Sequence, residues 1–244
     1  LELLNFKMKQ THIFICSYNR LIPLQKLVSC LLTRGYNNIV ILDNRSTYEP
    51  LLNWYKTLEG TGVAVYYCKD NYGPGALDRC RFDDEEFRNR YLHIIENEHH
   101  IYTDSDVVPV EEIPDSFIDD MVEMAKRHNI LKLGLSLKID DLPDHFAFKQ
   151  QVITHEGDFF LRGHIVDEKC DIFNAPVDTT FALNAPGLNC GLHWERAGRT
   201  GGLYFARHEP WYYDTNNLPE DEKYYYNHIT QISHWSNLIK QHIN

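Results

Sequence analysis

HIFICSYNR, residues 12–20, begins as a short β-branched and aromatic run and ends in four polar residues. Such a run predicts a strand over His12–Cys16, buried on both faces. In LIPLQKLVSCLLTRG, residues 21–35, the period changes: Leu24, Leu27, Val28, Leu31 and Leu32 recur at helical spacing. Pro23 suits a first helical turn, and Gly35 suits a left-handed C-terminal cap. Working outward, Ile39–Leu42 predicts a second strand, Pro50–Leu58 a second helix and Val63–Tyr67 a third strand. Strands and helices alternating at this pitch predict an α/β fold built on a parallel, right-handed βαβ sheet.

Further along, a helix is expected over about Phe82–Asn97 and a fourth strand over His99–Thr103, running directly into Asp104-Ser105-Asp106. Ser116–His128 is amphipathic, with Phe117, Met121, Val122 and Ala125 inward and Asp119, Asp120, Glu123 and Lys126 on the solvated face. Leu131–Leu137 predicts another strand. After Pro143 the rhythm weakens into short elements rich in Asn, Gly, His and aromatic residues. This shift lies inside one domain spanning 1–244, whose halves are about 11–110 and 111–244. Tyr224, Tyr225 and Tyr226 with Ile229, Ile232, Trp235 and Ile239 predict a C-terminal helical cover, with a dimer face or a peripheral membrane contact as open roles.

Composition narrows the function classes. Among 244 residues, 24 Lys and Arg against 35 Asp and Glu give a formal charge of −11. That balance argues against non-specific nucleic-acid binding, which depends on Lys and Arg neutralising phosphates. No apolar run approaches the roughly 20 residues that span a bilayer, and the first residues lack the pattern of a signal peptide. A cytoplasmic location is the resulting expectation, with the inner face of a membrane left open. Cys16, Cys30, Cys68, Cys80, Cys170 and Cys190 have no metal-site or redox spacing and are expected to be reduced.

In open α/β sheets ligands bind beyond the C-terminal ends of the strands. Three polar, turn-forming segments follow the first three strands: Ser17-Tyr18-Asn19-Arg20, Asp43-Asn44-Arg45-Ser46 and Asn71-Tyr72-Gly73-Pro74-Gly75. Together they predict a ligand cleft. After the fourth strand, Asp104 and Asp106 stand two apart with apolar residues on both sides. Carboxylates so placed can serve one hard divalent cation, and burying them uncompensated would be costly.

This series of segments, in this order over Thr11–Val110, resembles the nucleotide-sugar glycosyltransferases of the GT-A fold, in the manner of family 2. Pro176–Phe181 and Ala206–Trp211 resemble acceptor-side and C-terminal motifs of one branch of these enzymes. The resemblance implies transfer of a sugar from a nucleoside diphosphate, UDP first among them, to a glycan or glycolipid hydroxyl, with inversion. Ser17, Tyr18 and Arg20 would line the base pocket, Asp43 would read base or ribose, and Asn71 and Gly73 would shape the donor cleft. Arg79 is either a positive charge near the diphosphate or a surface arginine on a helix. Asp104 would approach ribose or metal with Ser105 beside it, and Asp106 would bind Mn²⁺ or Mg²⁺. His208 would complete the metal site, with His193 as its competitor.

An inverting transfer needs a carboxylate to take the acceptor proton. Asp178 is the expected base, a helix N-cap is its alternative role, and Asp158, Asp167 and Asp171 are the other candidates. Trp194, Trp211, Tyr212 and Tyr213 offer an aromatic platform for a sugar, or simply core packing. Two other classes stay open: a non-catalytic nucleotide-sugar or carbohydrate-binding module, and a sugar nucleotidyltransferase. The second is disfavoured because SYNR follows the first strand where a glycine-rich phosphate loop would be needed.

Overall fold

The computed structural model describes residues 9–178, 180–191, 195–230 and 234–243. Its first half follows the expected alternation: β1 (Ile13–Ser17), α1 (Ile22–Thr33), β2 (Ile39–Asp43), α2 (Glu49–Tyr55), β3 (Val63–Tyr67), α3 (Ala76–Asp83), α4 (Glu85–Asn97) and β4 (His100–Asp104). Then come β5 (Val107–Pro109), α5 (Phe117–Arg127), β6 (Lys132–Gly134), β7 (Ser136–Leu137), α6 (Lys149–Phe160), β8 (His164–Val166), β9 (Asp171–Phe173) and β10 (Ala182–Asn184). The chain continues through β11 (Ala197–Thr200), β12 (Phe205–His208), α7 (Glu220–His228) and α8 (His234–Ile243).

The result is an α/β fold with a central mixed sheet flanked by helices. Among the described residues the strand order is β3-β2-β1-β4-β10-β6-β11-β9-β8, with a second sheet β5-β12-β7. Ile13 lies beside Ile39 on one side and Ile101 on the other, both pairings parallel. β10 runs antiparallel to both β4 and β6, which makes the sheet mixed. Side chains alternate between the faces of a strand. Ile13, Ile15, Ile39 and Ile41 therefore join the core under α1 and α5. Phe14, Cys16, Val40 and Leu42 join one under α3 and α4 with Leu77, Cys80, Phe87 and Ile95.

Three sequence expectations are refined. The helix expected over Phe82–Asn97 is two helices, because Asp84 leaves helical geometry and caps α4 by accepting from Glu86 N at 3.1 Å and Phe87 N at 3.4 Å. The strand expected over Leu131–Leu137 divides between the two sheets as β6 and β7. Asp120, expected on the solvated face of α5, is buried, accepting from Tyr204 Oη at 2.9 Å and Ser116 Oγ at 2.8 Å and pairing with Lys169 at 2.8 Å. Its i, i+4 neighbour Met124 is buried as well, so the inward stripe is wider than hydropathy alone suggests. All six cysteines are free thiols. No helix among the described residues is long and apolar enough to cross a membrane.

Candidate active site

The C-terminal ends of β1, β2 and β4 lie side by side, because Ser17 is in register with Asp43 and Cys16 with Asp104. The loops beyond them are tied together by Asn44. Its Nδ2 donates to Gly73 O at 3.2 Å, and its Oδ1 accepts from Tyr72 N at 3.1 Å. Asn19, at φ 55°, accepts from Thr47 N at 2.7 Å and Tyr48 N at 3.0 Å and so fixes the start of α2. These bonds make a rigid edge of three loops.

Several residues expected to face a nucleotide are satisfied inside the protein. Asp43 is buried; its carboxylate accepts from Tyr55 Oη at 3.1 Å and Ser46 N at 3.0 Å, while Tyr55 also meets Ser17 Oγ at 3.0 Å. Burial raises the Asp43 pKa against these hydrogen bonds. Ser105 is buried, donating its N–H to Cys16 O at 3.0 Å. Tyr18, Asn71 and Gly73 are half-buried and keep surface at the edge. Arg79 sits on the exposed side of α3, 3.5 Å from Asp83, and does not line the cavity described below.

Arg20 is the most constrained of the set. Its guanidinium is hydrogen-bonded to Asp106 and pairs with Glu222 of α7 at 2.8 Å. The ring of Tyr225 covers it at 3.6 Å. α7 fastens over the same edge elsewhere: Asp221 accepts from Leu21 N at 3.0 Å and Ile22 N at 2.7 Å, satisfying the start of α1, and Tyr18 Oη donates to His228 O at 2.9 Å. Nothing in the local sequence marks Glu222, which lies in the charged run Glu220–Lys223 that reads as a solvated helical turn.

His208 reaches Asp106 through sheet register. β12 pairs antiparallel with β5, setting His208 opposite Val107, and Glu209 N donates to Asp106 O at 2.8 Å. His208 Nε2 then stands 3.4 Å from Asp106 Oδ2, with its ring centroid 4.6 Å from that of Trp211. Burial opposes ionisation of Asp106, but Arg20 and then His208 outweigh it and hold the carboxyl below its ordinary range. Burial also holds the His208 imidazole low, against the pull of Asp106.

The same residues can be tested as a divalent-cation site. His208 Nδ1 is buried without a hydrogen-bond partner, which leaves one nitrogen open. The Asp106 oxygen facing His208 is, however, already the acceptor for Arg20. Among the described residues no group of three or more His, Cys, Asp or Glu side chains converges to hold a metal. As arranged here, Arg20 is the positive charge that the fold places on Asp106.

Asp104, Asp178 and His208 line one cavity of about 500 Å³, together with Glu156, Asp158, Phe159, Arg162, Arg199, Trp211 and Trp235. Asp178 lies between β9 and β10, and among the described residues no helix follows it, so no N-cap is seen there. Its side chain is 60% exposed, which leaves it open to a substrate, and Arg199 Nη2 lies 3.5 Å away. Of the other candidate bases, Asp158 lines the cavity, Asp167 is tied to Arg127 and to His128 at 2.6 Å, and Asp171 lies in β9. Trp211 lines the cavity beside Trp235, ring centroids 5.9 Å apart, whereas Tyr212 turns away to donate to Asp141 at 2.6 Å. Tyr213 does not line the cavity. Thr179, His193, Trp194 and Ile232 fall outside the described residues. Glu156, Arg199 and Trp235 enter the site without any local sequence signal.

No protein-family model and no curated protein matches the chain. Among solved structures it is similar to S. aureus TarS residues 1–349, at 13% identity over 96% of this chain and 70% of that one, TM-score 0.45. It is similar to the same fragment in complex with UDP-GlcNAc at 19% identity over 57% of this chain and 38% of that one, TM-score 0.38. A Bacillus anthracis structure named as a glucose-1-phosphate thymidylyltransferase aligns at 16% identity over 54% of this chain and 56% of that one, TM-score 0.35. This chain therefore spans well under half of the UDP-GlcNAc-bound chain it matches.

Proposed function

We propose that the protein is a GT-A-type glycosyltransferase that moves a sugar from a nucleoside diphosphate to a hydroxyl of a glycan or glycolipid, with inversion at the anomeric carbon. The observation that supports this reading is the cavity itself. It gathers Asp104, Asp178 and His208 from positions far apart in the chain, at the edge where an α/β sheet binds ligands.

Asp178 would take the acceptor proton. As it does so, the acceptor oxygen forms its bond to the anomeric carbon, and the bond from that carbon to the diphosphate oxygen breaks, its electron pair leaving with the diphosphate. Trp235 presents a half-buried apolar ring, which suits a sugar, whereas Trp211 is buried behind it in the core. Arg162 brings positive charge to an anionic donor. Tyr18, Asn71 and Gly73 offer surface to the nucleotide, whereas Ser17, Arg20, Asp43 and Ser105 hold the loops from beneath. Asp106 would have to release Arg20 before it could hold Mn²⁺ or Mg²⁺.

The burial of those last four residues favours a second reading, a sugar-binding module without turnover. Release of nucleoside diphosphate from a panel of nucleotide sugars, with and without Mn²⁺, separates the two. Transfer or slow donor hydrolysis supports the enzyme; binding without any turnover supports the module.

A further inference from the structure

Arg199, in β11, is buried and serves two carboxylates on different walls of the cavity. Its Nη1 lies 3.2 Å from Glu156 Oε2 on α6, and its Nη2 lies 3.5 Å from Asp178 Oδ1. Its Nε donates to Pro176 O at 2.9 Å, and its guanidinium rests 4.3 Å from the Phe159 ring centroid. Those two contacts fix the fork, so the guanidinium cannot swing fully to either acid. The two acids differ sharply in surroundings: the Glu156 side chain is 6% exposed and that of Asp178 is 60% exposed. One positive charge therefore stands between a dry carboxyl and a wet one.

We infer that Glu156 is a positioning residue for the transfer reaction, acting through Arg199 to set how much positive charge Asp178 receives. This rests on the glycosyl-transfer reading for its effect on rate, but not for the coupling itself. While Glu156 is protonated and neutral, the charge of Arg199 faces Asp178 alone and holds that side chain against β11. When Glu156 loses its proton to solvent, it shares the charge of the fixed guanidinium, and the exposed Asp178 side chain is released to turn to the acceptor. Burial pushes Glu156 up to about 7, against Arg199 and with the help of Asp178, which places this exchange near neutrality. The other charged groups around it are His155, 3.9 Å from Glu156 Oε1, and Asp104, Asp158, Arg162 and His208 lining the cavity.

The coupling is read by a ¹³C titration of the Glu156 carboxyl in the intact protein and in Asp178→Asn. The expected midpoint is near pH 7 in the wild type and lower in Asp178→Asn, since the neighbouring negative charge is gone. An ordinary carboxylate midpoint in the wild type, or no movement in Asp178→Asn, overturns the inference. The pH–rate profile is the second readout. The wild type should gain rate through pH 7; Glu156→Gln should lose that rise with donor KM unchanged, and Glu156→Asp should restore it. A rise that persists in folded Glu156→Gln also overturns the inference. A coupled titration in a protein that transfers no sugar would uphold the bridge and remove the glycosyl-transfer reading instead.

Discussion

Arg20 and Glu222, 202 residues apart in the chain, meet as a buried ion pair that joins the loop after β1 to helix α7. Asp106 takes the other side of the same guanidinium. The site thus has two arginine bridges of one design, Asp106–Arg20–Glu222 and Asp178–Arg199–Glu156, each placing one cation between two acids.

Removing the first bridge should destabilise the fold. Arg20→Ala leaves two buried carboxylates without their cation, and breaking a buried pair in this way costs about 3–5 kcal/mol. Equilibrium denaturation with urea measures the loss. A change below 1 kcal/mol, roughly that of an exposed pair, would show that Arg20 does not hold α7 in place.

Glu222 predicts a pH dependence of stability. Burial, against Arg20, raises its carboxyl from 4.5 to about 7. A raised acid adds stability that is complete below its unfolded value and is lost as pH rises through the folded one. In thermal melts the wild type should therefore lose ground to Glu222→Gln between about pH 4.5 and 7. Asp106, held low, acts only as pH falls below its ordinary value and so lies outside this window. Parallel melting curves across the window would refute the assignment.

Asp178→Asn tests the proposed base. Loss of a proton acceptor costs ~10²–10⁴-fold in rate, and it should appear in kcat with donor affinity retained. Because the side chain is largely exposed, the melting temperature should hardly move. Retention of more than about a tenth of the rate, far short of that loss, would pass the role to Asp158, the other expected base that lines the cavity.

The role of a divalent cation is decided by titration. If Mn²⁺ binds at Asp106, it must displace Arg20, so Arg20→Ala should bind Mn²⁺ more tightly in calorimetry than the wild type, and His208→Ala more weakly. Equal affinities in all three proteins would place any bound Mn²⁺ elsewhere.

A substitution within β11 tests the sheet. A Cβ at Gly198 in β11 would lie 2.6 Å from Ile172 Cγ2 on the neighbouring strand β9. Overpacking of this kind costs about 1–3 kcal/mol, so Gly198→Ala should lower the denaturation midpoint. Gly157→Ala, with open space around it, should not.

The first half of the fold was legible because its signals are local. Leu24, Leu27, Val28 and Leu31 lie on one stripe and all four are buried, and the short runs at 13–17, 39–43 and 63–67 are strands. The polar residues at the strand ends were legible for the same reason. What each one touches was not. Arg20 meets Glu222, and Arg199 joins Glu156 to Asp178, only after distant strands and helices have taken their places. Asp120 was misplaced because a carboxylate in an amphipathic helix looks solvated until Tyr204 arrives from another part of the chain.

The contacts of α7 also bear on the order of folding. Asp221 supplies the acceptor for the first amides of α1, and Glu222 neutralises Arg20 beside β1, both some 200 positions away. Closing so long a loop is entropically slow, and contacts of high sequence separation form late. During synthesis the early βα units would emerge with an open helix start and an uncompensated arginine until α7 has left the ribosome. Folding of this chain should accordingly show a late, slow phase that reports on the environment of Tyr225 and Tyr226, after most helical signal has been recovered.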